Sequence, residues 1–92
     1  MDIELTKRFL AAVKKLPDED AASVDAALAQ LPGTFGRPHV HAGTSIRGLR
    51  PPIYELRATR ALRVVFLHRG SLLKVDFVGT HAEVAAYLRS AR

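Results

Sequence analysis

Residues 53–78, IYELRATRALRVVFLHRGSLLKVDFV, predict three consecutive β-strands. In the first of them, over 53–58, polar and apolar residues alternate, which is typical of a strand with one buried face. The next two, over 62–68 and 72–78, are rich in β-branched and aromatic residues. The Arg69-Gly70-Ser71 linker between them has the length and the glycine of a hairpin turn. We therefore expect a twisted antiparallel sheet.

The residues before this sheet predict two helices joined by a short turn. Apolar side chains recur at helical spacing over 7–15, where Thr6 is placed to cap the helix and Pro17 ends it. A second helix is expected over 18–30, with acidic residues in its first turn and Pro32 beyond its end. Because the connection is short, the two helices should form an antiparallel hairpin that covers one face of the sheet.

The rest of the chain supplies the remaining elements. Residues 2–5 predict a short strand, and residues 45–49 are a candidate for another. Thr80 and Glu83 have the spacing of a capping box, which opens a last helix through residue 88. The expected fold class is α+β: a small twisted antiparallel sheet of four to five strands packed on the N-terminal helical hairpin, with a short C-terminal helix. The second face of the sheet should stay partly open.

Composition limits the class of protein. A length of 92 residues, 48% of them hydrophobic, fits a single globular domain over 1–92. The sequence contains no cysteine, which excludes disulfides, thiolate zinc sites and a cysteine nucleophile. It shows neither a signal-peptide pattern nor an apolar stretch of membrane-spanning length, so we expect a cytoplasmic protein that does not bind membranes.

Positive charge is concentrated in the second part of the chain. Residues 1–35 carry four Lys/Arg and six Asp/Glu, whereas residues 36–92 carry ten and three. Guanidinium groups bind phosphate through paired hydrogen bonds, so this bias favours contact with nucleic acid. A plain basic surface, or a docking face for an acidic protein, is the alternative. The candidate contact residues are Arg37, His41, Arg47, Arg50, Arg60 and Arg69.

A set of side chains suited to RNA cleavage is expected beside the sheet. Arg57 and Arg63 lie on adjacent strands, where their guanidinium groups could converge. Glu55 shares the face of Arg57 and is expected to pair with an arginine. His81 opens the last helix, and Tyr87 follows one and a half turns later. Transesterification by a 2′-hydroxyl requires a base, an acid and cations beside the phosphate, and these residue types supply them without a metal or another cofactor.

In the order of its segments the chain resembles the RelE/ParE superfamily of bacterial toxins. The resemblance covers nearly the whole chain and is strongest in YELR (54–57), in RVVF (63–66) and in VGTH (78–81) followed by a tyrosine. Members fold as a small antiparallel sheet with a helical hairpin. The RelE branch cleaves mRNA in the ribosomal A site, the ParE branch poisons DNA gyrase, and a small antitoxin neutralises both.

The resemblance implies roles for individual residues. Arg63 matches the strand arginine that binds the scissile phosphate. His81 falls at a position of arginine or histidine, and Tyr87 matches the C-terminal tyrosine that holds or protonates the substrate. Arg57 falls near a lysine position of RelE, whereas Glu55 replaces a second lysine and so departs from RelE.

A loop after the second helix supplies a candidate base. Some members of the superfamily carry a general-base glutamate there in the sequence Gly-Lys-Pro-Glu, and this chain reads Gly36-Arg37-Pro38-His39. His39, with His41 as the second candidate, would accordingly accept the 2′-hydroxyl proton. A polar loop without a catalytic role is the alternative. No metal site is expected, because the sequence holds only two further histidines.

The function that follows is a toxin of a type II toxin–antitoxin system. The resemblance implies a ribosome-dependent endoribonuclease, or mRNA interferase, that cleaves mRNA without metal and so inhibits translation. Its expected partners are mRNA, the ribosome and a cognate acidic antitoxin. Two alternatives stay open: a ParE-like gyrase poison without nuclease activity, and a protein-binding module on the same fold.

Overall fold

The computed structural model describes residues 2–35 and 46–91. Its elements, in chain order, are β1 (Asp2–Leu5), α1 (Lys7–Lys14), α2 (Asp18–Thr34), β2 (Ile46–Arg50), β3 (Ile53–Arg57), β4 (Arg63–Arg69), β5 (Leu72–Gly79) and α3 (His81–Ser90). Within those ranges the chain forms one five-stranded sheet and three helices, which confirms the predicted α+β class. The candidate strand over 45–49 is present as β2.

The five strands lie in the order β1-β5-β4-β3-β2. Strands β2 to β5 pair antiparallel with their neighbours, as predicted, and Gly70, with φ of 60°, makes the turn between β4 and β5. In contrast, β1 pairs with β5 in parallel, with Asp2 opposite Leu72 and Leu5 opposite Val75. The sheet is therefore mixed. A tight turn enforces antiparallel pairing, but β1 is joined to the sheet through two helices, which permit the parallel direction.

Helices α1 and α2 cover one face of the sheet, as the periodicity predicts. Phe9 of α1 is 2% exposed, and Val24 and Leu31 of α2 are fully buried. They pack against Val64 and Phe66 of β4 in the larger of two apolar clusters. Burial of a side chain of this size contributes about 1.5–3 kcal/mol, so this cluster holds the helical hairpin on the sheet.

The helix ends follow the predicted caps with one exception. The Oγ1 atom of Thr6 accepts a hydrogen bond from the backbone N–H of Phe9 at the start of α1. Helix α2 does not end before Pro32 but continues to Thr34. Proline removes only its own N–H from the last turn, and the Phe35 N–H still donates to the carbonyl of Leu31. None of the described helices is long and apolar enough to cross a membrane.

Helix α3 lies on the opposite face and covers only part of it. Thr80 and Glu83 form both hydrogen bonds of the predicted capping box at its start. Val84 is buried against Ile53 and Val65 in the second apolar cluster. Because α3 packs mainly on β4 and β5, the part of this face formed by the start of β2 and the end of β3 stays open.

Candidate active site

A cavity of about 330 Å³ opens on the part of the sheet that α3 leaves uncovered. It lies at the end of the sheet where β2 and β4 begin and β3 ends. Its walls are formed by Ile46, Arg47, Glu55, Arg57 and Arg63. The volume falls in the range of small-ligand clefts, about 300–1,000 Å³. We refer to it below as the arginine cavity.

Two arginines face each other across the arginine cavity. Arg57 on β3 and Arg63 on β4 are direct cross-strand partners, so their side chains leave the same face of the sheet, as the strand pattern predicts. Arg63 is only 17% exposed, whereas Arg57 is exposed and forms no ion pair with any residue that the structure describes. Like charges placed directly opposite each other destabilise a sheet, so this pair favours an anion between them.

Glu55 is the only acid among the described residues of the cavity wall and is 4% exposed. Its Oε1 atom lies 2.8 Å from Nη2 of Arg47, which is its cross-strand partner on β2. Its Oε2 atom lies 3.2 Å from Nε of Arg63, but no donor among the described residues is aligned for a hydrogen bond with it. Among the described residues of the wall, three guanidinium groups and one carboxylate leave two uncompensated positive charges.

The position of Glu55 between two arginines of the cavity wall is not predicted by the sequence. Its expected pairing with an arginine is present, but the sequence gives no reason to place it at the centre of the site. One signal was available: between residues 36 and 74 it is the only acid, among seven arginines. Its alternation with Ile53 also places it on the strand face that becomes partly buried.

Tyr87 does not line the arginine cavity. Its hydroxyl donates a 2.7 Å hydrogen bond to Oδ2 of Asp76, and its ring stacks on Phe77 with 5.5 Å between centroids. The guanidinium of Arg8 lies 5.6 Å from the ring centroid. Burial, together with the hydrogen bond and charge of Asp76, raises the pKa of Tyr87 well above its ordinary value. A phenol held in this way is a poor proton donor, and it fastens α3 to β5.

His81 and Arg60 are exposed near the same end of the sheet as the arginine cavity, but neither lines it. His81 is the first residue of α3 and lies two residues after Gly79, which ends β5 and is the cross-strand partner of Arg63. Arg60 lies in the turn that joins β3 to β4. Both are therefore placed to contact a ligand that extends beyond the cavity.

Two further arginines lie away from the arginine cavity. Arg69 is exposed at the other end of β4. Arg50 ends β2, and its Nη2 atom donates to the carbonyls of Leu88 and Ala91 at 3.0 and 2.9 Å. A cation at the end of a helix stabilises the negative end of its dipole, so Arg50 anchors the end of α3.

The remaining sequence-based candidates, Arg37, His39 and His41, lie outside the described residues. They stay predictions. Within 2–35 and 46–91, no group of three His, Asp or Glu side chains is arranged to hold a metal ion.

Solved structures share this arrangement of strands and helices. YafQ from E. coli strain BL21(DE3) has a TM-score of 0.70 and 19% identity, over 90% of this chain and 96% of the YafQ chain. A chain of the RelB–RelE antitoxin–toxin complex from Methanococcus jannaschii has a TM-score of 0.71 and 12% identity, over 91% and 96% of the two chains. The intact E. coli RelBE toxin–antitoxin complex matches with a TM-score of 0.62 and 20% identity, over 86% and 94%.

In contrast, no protein-family model matches the sequence, and no curated protein matches it either. The similarity to known proteins is therefore one of fold, and it extends over nearly the whole length of each chain. The chain has the RelE-like fold that its sequence resemblance implies.

Proposed function

We propose that the protein is the toxin of a type II toxin–antitoxin system and cleaves mRNA on the ribosome. The observation that carries the proposal is the arginine cavity, in which Arg57 and Arg63 oppose each other with net positive charge. The fold supports it, because solved chains with this fold come from toxin–antitoxin complexes.

The two arginines suit the chemistry of RNA transesterification. The 2′-oxygen attacks the adjacent phosphorus, the bond to the 5′-oxygen breaks, and a 2′,3′-cyclic phosphate remains. Negative charge builds on the non-bridging oxygens during this step. Arg57 and Arg63 hold the phosphate and stabilise that charge, and one preorganised donor of this kind contributes about 10²–10³ in rate.

Proton transfer requires groups outside the arginine cavity wall. His81, exposed at the same end of the sheet, is our candidate for the acid that protonates the departing 5′-oxygen. His39, or His41, is the candidate base. Tyr87 is left out of this role, because its hydroxyl hydrogen is directed at Asp76. The mechanism needs no metal or other cofactor.

An acidic antitoxin is the proposed protein partner, and the cytoplasm is the proposed compartment. The uncompensated charge of the arginine cavity attracts acidic side chains as well as phosphate. Exposed charges are screened within about 8–10 Å at physiological salt, so the association should weaken as salt rises.

A translation reaction with purified ribosomes and a defined mRNA tests the proposal. The wild-type protein should cut mRNA within codons and leave 2′,3′-cyclic phosphate or 3′-phosphate ends. Arg57→Ala should lower the rate by roughly 10²-fold or more, because it removes a phosphate donor. Its fold should persist, since Arg57 is exposed and has no ion pair with the described residues.

Arg89→Ala is the matched control, because it removes the same charge from an exposed position of α3 outside the cavity wall. It should cleave at the wild-type rate. Protein treated with a chelator and then desalted should also keep its activity. Intact mRNA together with accumulated gyrase-cleaved DNA would contradict the nuclease and assign the ParE-like function.

A further inference from the structure

Of the charged side chains that the structure describes, only that of Glu55 is buried. Removing a carboxylate from water is unfavourable unless hydrogen bonds and opposite charges compensate. An apolar residue of similar size would fill the same place in β3 without that loss. A buried acid in the wall of a proposed RNA site therefore calls for a functional explanation.

The contacts of Glu55 show what the carboxylate does to its neighbours. It lies between two arginines from different strands, Arg47 on β2 and Arg63 on β4, and approaches each with a different oxygen. The contact with Arg63 is made at Nε, the inner nitrogen of the guanidinium. This leaves the outer edge, formed by Nη1 and Nη2, for a second partner.

We propose that Glu55 is a positioning residue that holds Arg47 and Arg63 so that they bind one RNA phosphate together with Arg57. The phosphate takes the outer edge of Arg63 and the unpaired guanidinium of Arg57, which faces Arg63 across the sheet. Holding long side chains in place before binding reduces the entropy that binding would otherwise lose. The inference rests on the proposed function, because the phosphate is that of an RNA backbone.

Glu55 does not itself accept the 2′-hydroxyl proton. Its Oε2 atom is almost completely inaccessible, and its Oε1 atom is occupied by Arg47. Oε2 lies 3.2 Å from Nε of Arg63, so each carboxylate oxygen faces a guanidinium. Glu55 therefore acts through the arginines and not on the substrate.

Two substitutions separate positioning from a simple effect of charge. Glu55→Gln keeps the shape and removes the negative charge, so a purely electrostatic role predicts tighter phosphate binding. Glu55→Asp keeps the charge but shortens the side chain, so that its oxygens no longer reach both Arg47 and Arg63. Positioning predicts that both variants bind phosphate more weakly, by roughly tenfold.

The test titrates inorganic phosphate into protein labelled with ¹⁵N at arginine, at constant ionic strength, and follows the Nε–Hε signals by NMR. The signal of Arg63 is assigned by its absence in the Arg63→Lys variant. In the wild-type protein this signal should shift with phosphate concentration until it saturates. In both Glu55 variants it should already differ from the wild-type position before phosphate is added. Backbone amide spectra report whether each variant is folded. Glu4→Gln, an exposed change on β1, is the matched control and should bind like the wild type.

The outcomes distinguish this inference from the nuclease proposal, because the titration contains neither ribosomes nor RNA. Tighter binding in Glu55→Gln, wild-type affinity in both Glu55 variants, or no phosphate shift of Arg63 would each overturn the role of Glu55. A protein that shows the expected titrations but leaves mRNA intact would contradict the nuclease and support the positioning role. If only Glu55→Asp folds, its affinity for phosphate distinguishes the two explanations. A simple charge effect predicts the wild-type affinity for this variant, whereas positioning predicts weaker binding.

Discussion

Replacing Tyr87 by phenylalanine removes the hydroxyl that links α3 to β5 and leaves the aromatic ring in place. The lost contact is the 2.7 Å hydrogen bond from Tyr87 to the Asp76 carboxylate. The stacking of the ring on Phe77 should persist, because it needs only the ring. The variant therefore isolates one hydrogen bond.

The size of the effect follows from the surroundings of Asp76. A hydrogen bond to a charged group contributes about 1.5–3 kcal/mol. The Asp76 side chain is 21% exposed, so water can replace the missing hydroxyl and the lower end of that range applies. We expect Tyr87→Phe to lower the free energy of unfolding by about 1.5 kcal/mol. For a domain of this size this corresponds to a fall in Tm of roughly 6–12 °C.

Urea unfolding followed by circular dichroism measures the change, and Tyr54→Phe is its matched control. Tyr54 is half-buried and stacks on Phe66, but its hydroxyl has no hydrogen-bond partner among the described residues. Its replacement should change the free energy of unfolding by less than about 0.5 kcal/mol. Equal small losses in the two variants would refute the Tyr87–Asp76 hydrogen bond.

The same contact predicts a dependence on pH. Because the pKa of Tyr87 is higher in the folded protein than the ordinary value near 10, the folded state holds the phenol proton more tightly. This stabilisation is complete below the unfolded pKa and is lost as pH rises through the folded pKa. The stability difference between wild type and Tyr87→Phe should therefore shrink above about pH 10. If Tyr87→Phe abolished mRNA cleavage without loss of stability, the phenol would take part in the chemistry, as the family resemblance implies.

Two further substitutions test how α3 is held. Arg50→Ala should lower the free energy of unfolding, measured in urea, by about 1 kcal/mol, because two α3 carbonyls lose an exposed hydrogen-bond donor. The rate of mRNA cleavage should be unchanged. Lost cleavage at unchanged stability would instead make Arg50 an RNA contact. Gly79→Ala should cost about 1–3 kcal/mol in thermal unfolding, because its Cβ would lie 2.9 Å from Cβ of Glu83 and from Cε2 of Phe77. An unchanged Tm would contradict that packing.

The elements predicted well from the sequence depend on local signals. The alternation over 53–57 sets the two faces of β3, and the Thr6 cap and the Thr80–Glu83 capping box each depend on residues three positions apart. Such signals act within one element, so that element can be predicted without knowing how the rest of the chain folds. The opposition of Arg57 and Arg63 is also local, because a short turn sets the register of its hairpin.

The features that the sequence did not predict depend on contacts between distant segments. The parallel direction of β1 is set where it docks on β5. Helix α2 continues past Pro32 to Thr34, and the ring of the next residue, Phe35, packs on Tyr54 and Phe66. Composition carries no signal for either.

In the candidate site, too, the features that the sequence did not predict depend on contacts between distant segments. Because of where α3 packs, Tyr87 donates a hydrogen bond to Asp76, and Arg50 donates to the last carbonyls of the helix. Residue type and the family resemblance indicate catalysis for Tyr87, and the arginine bias indicates RNA contact for Arg50. The burial of Glu55 likewise depends on how β2 and β4 bring Arg47 and Arg63 beside it.

The partnership of β1 with β5 has a consequence for synthesis of the chain. Asp2–Leu5 can pair only when Leu72–Val75 are present, so the first strand waits until about four fifths of the polypeptide has been made. Contacts between such remote segments slow folding. Until they form, the edge of β5 is bare and open to unwanted pairing with other chains. The five-stranded sheet is therefore completed only after Leu72–Val75 have left the ribosome.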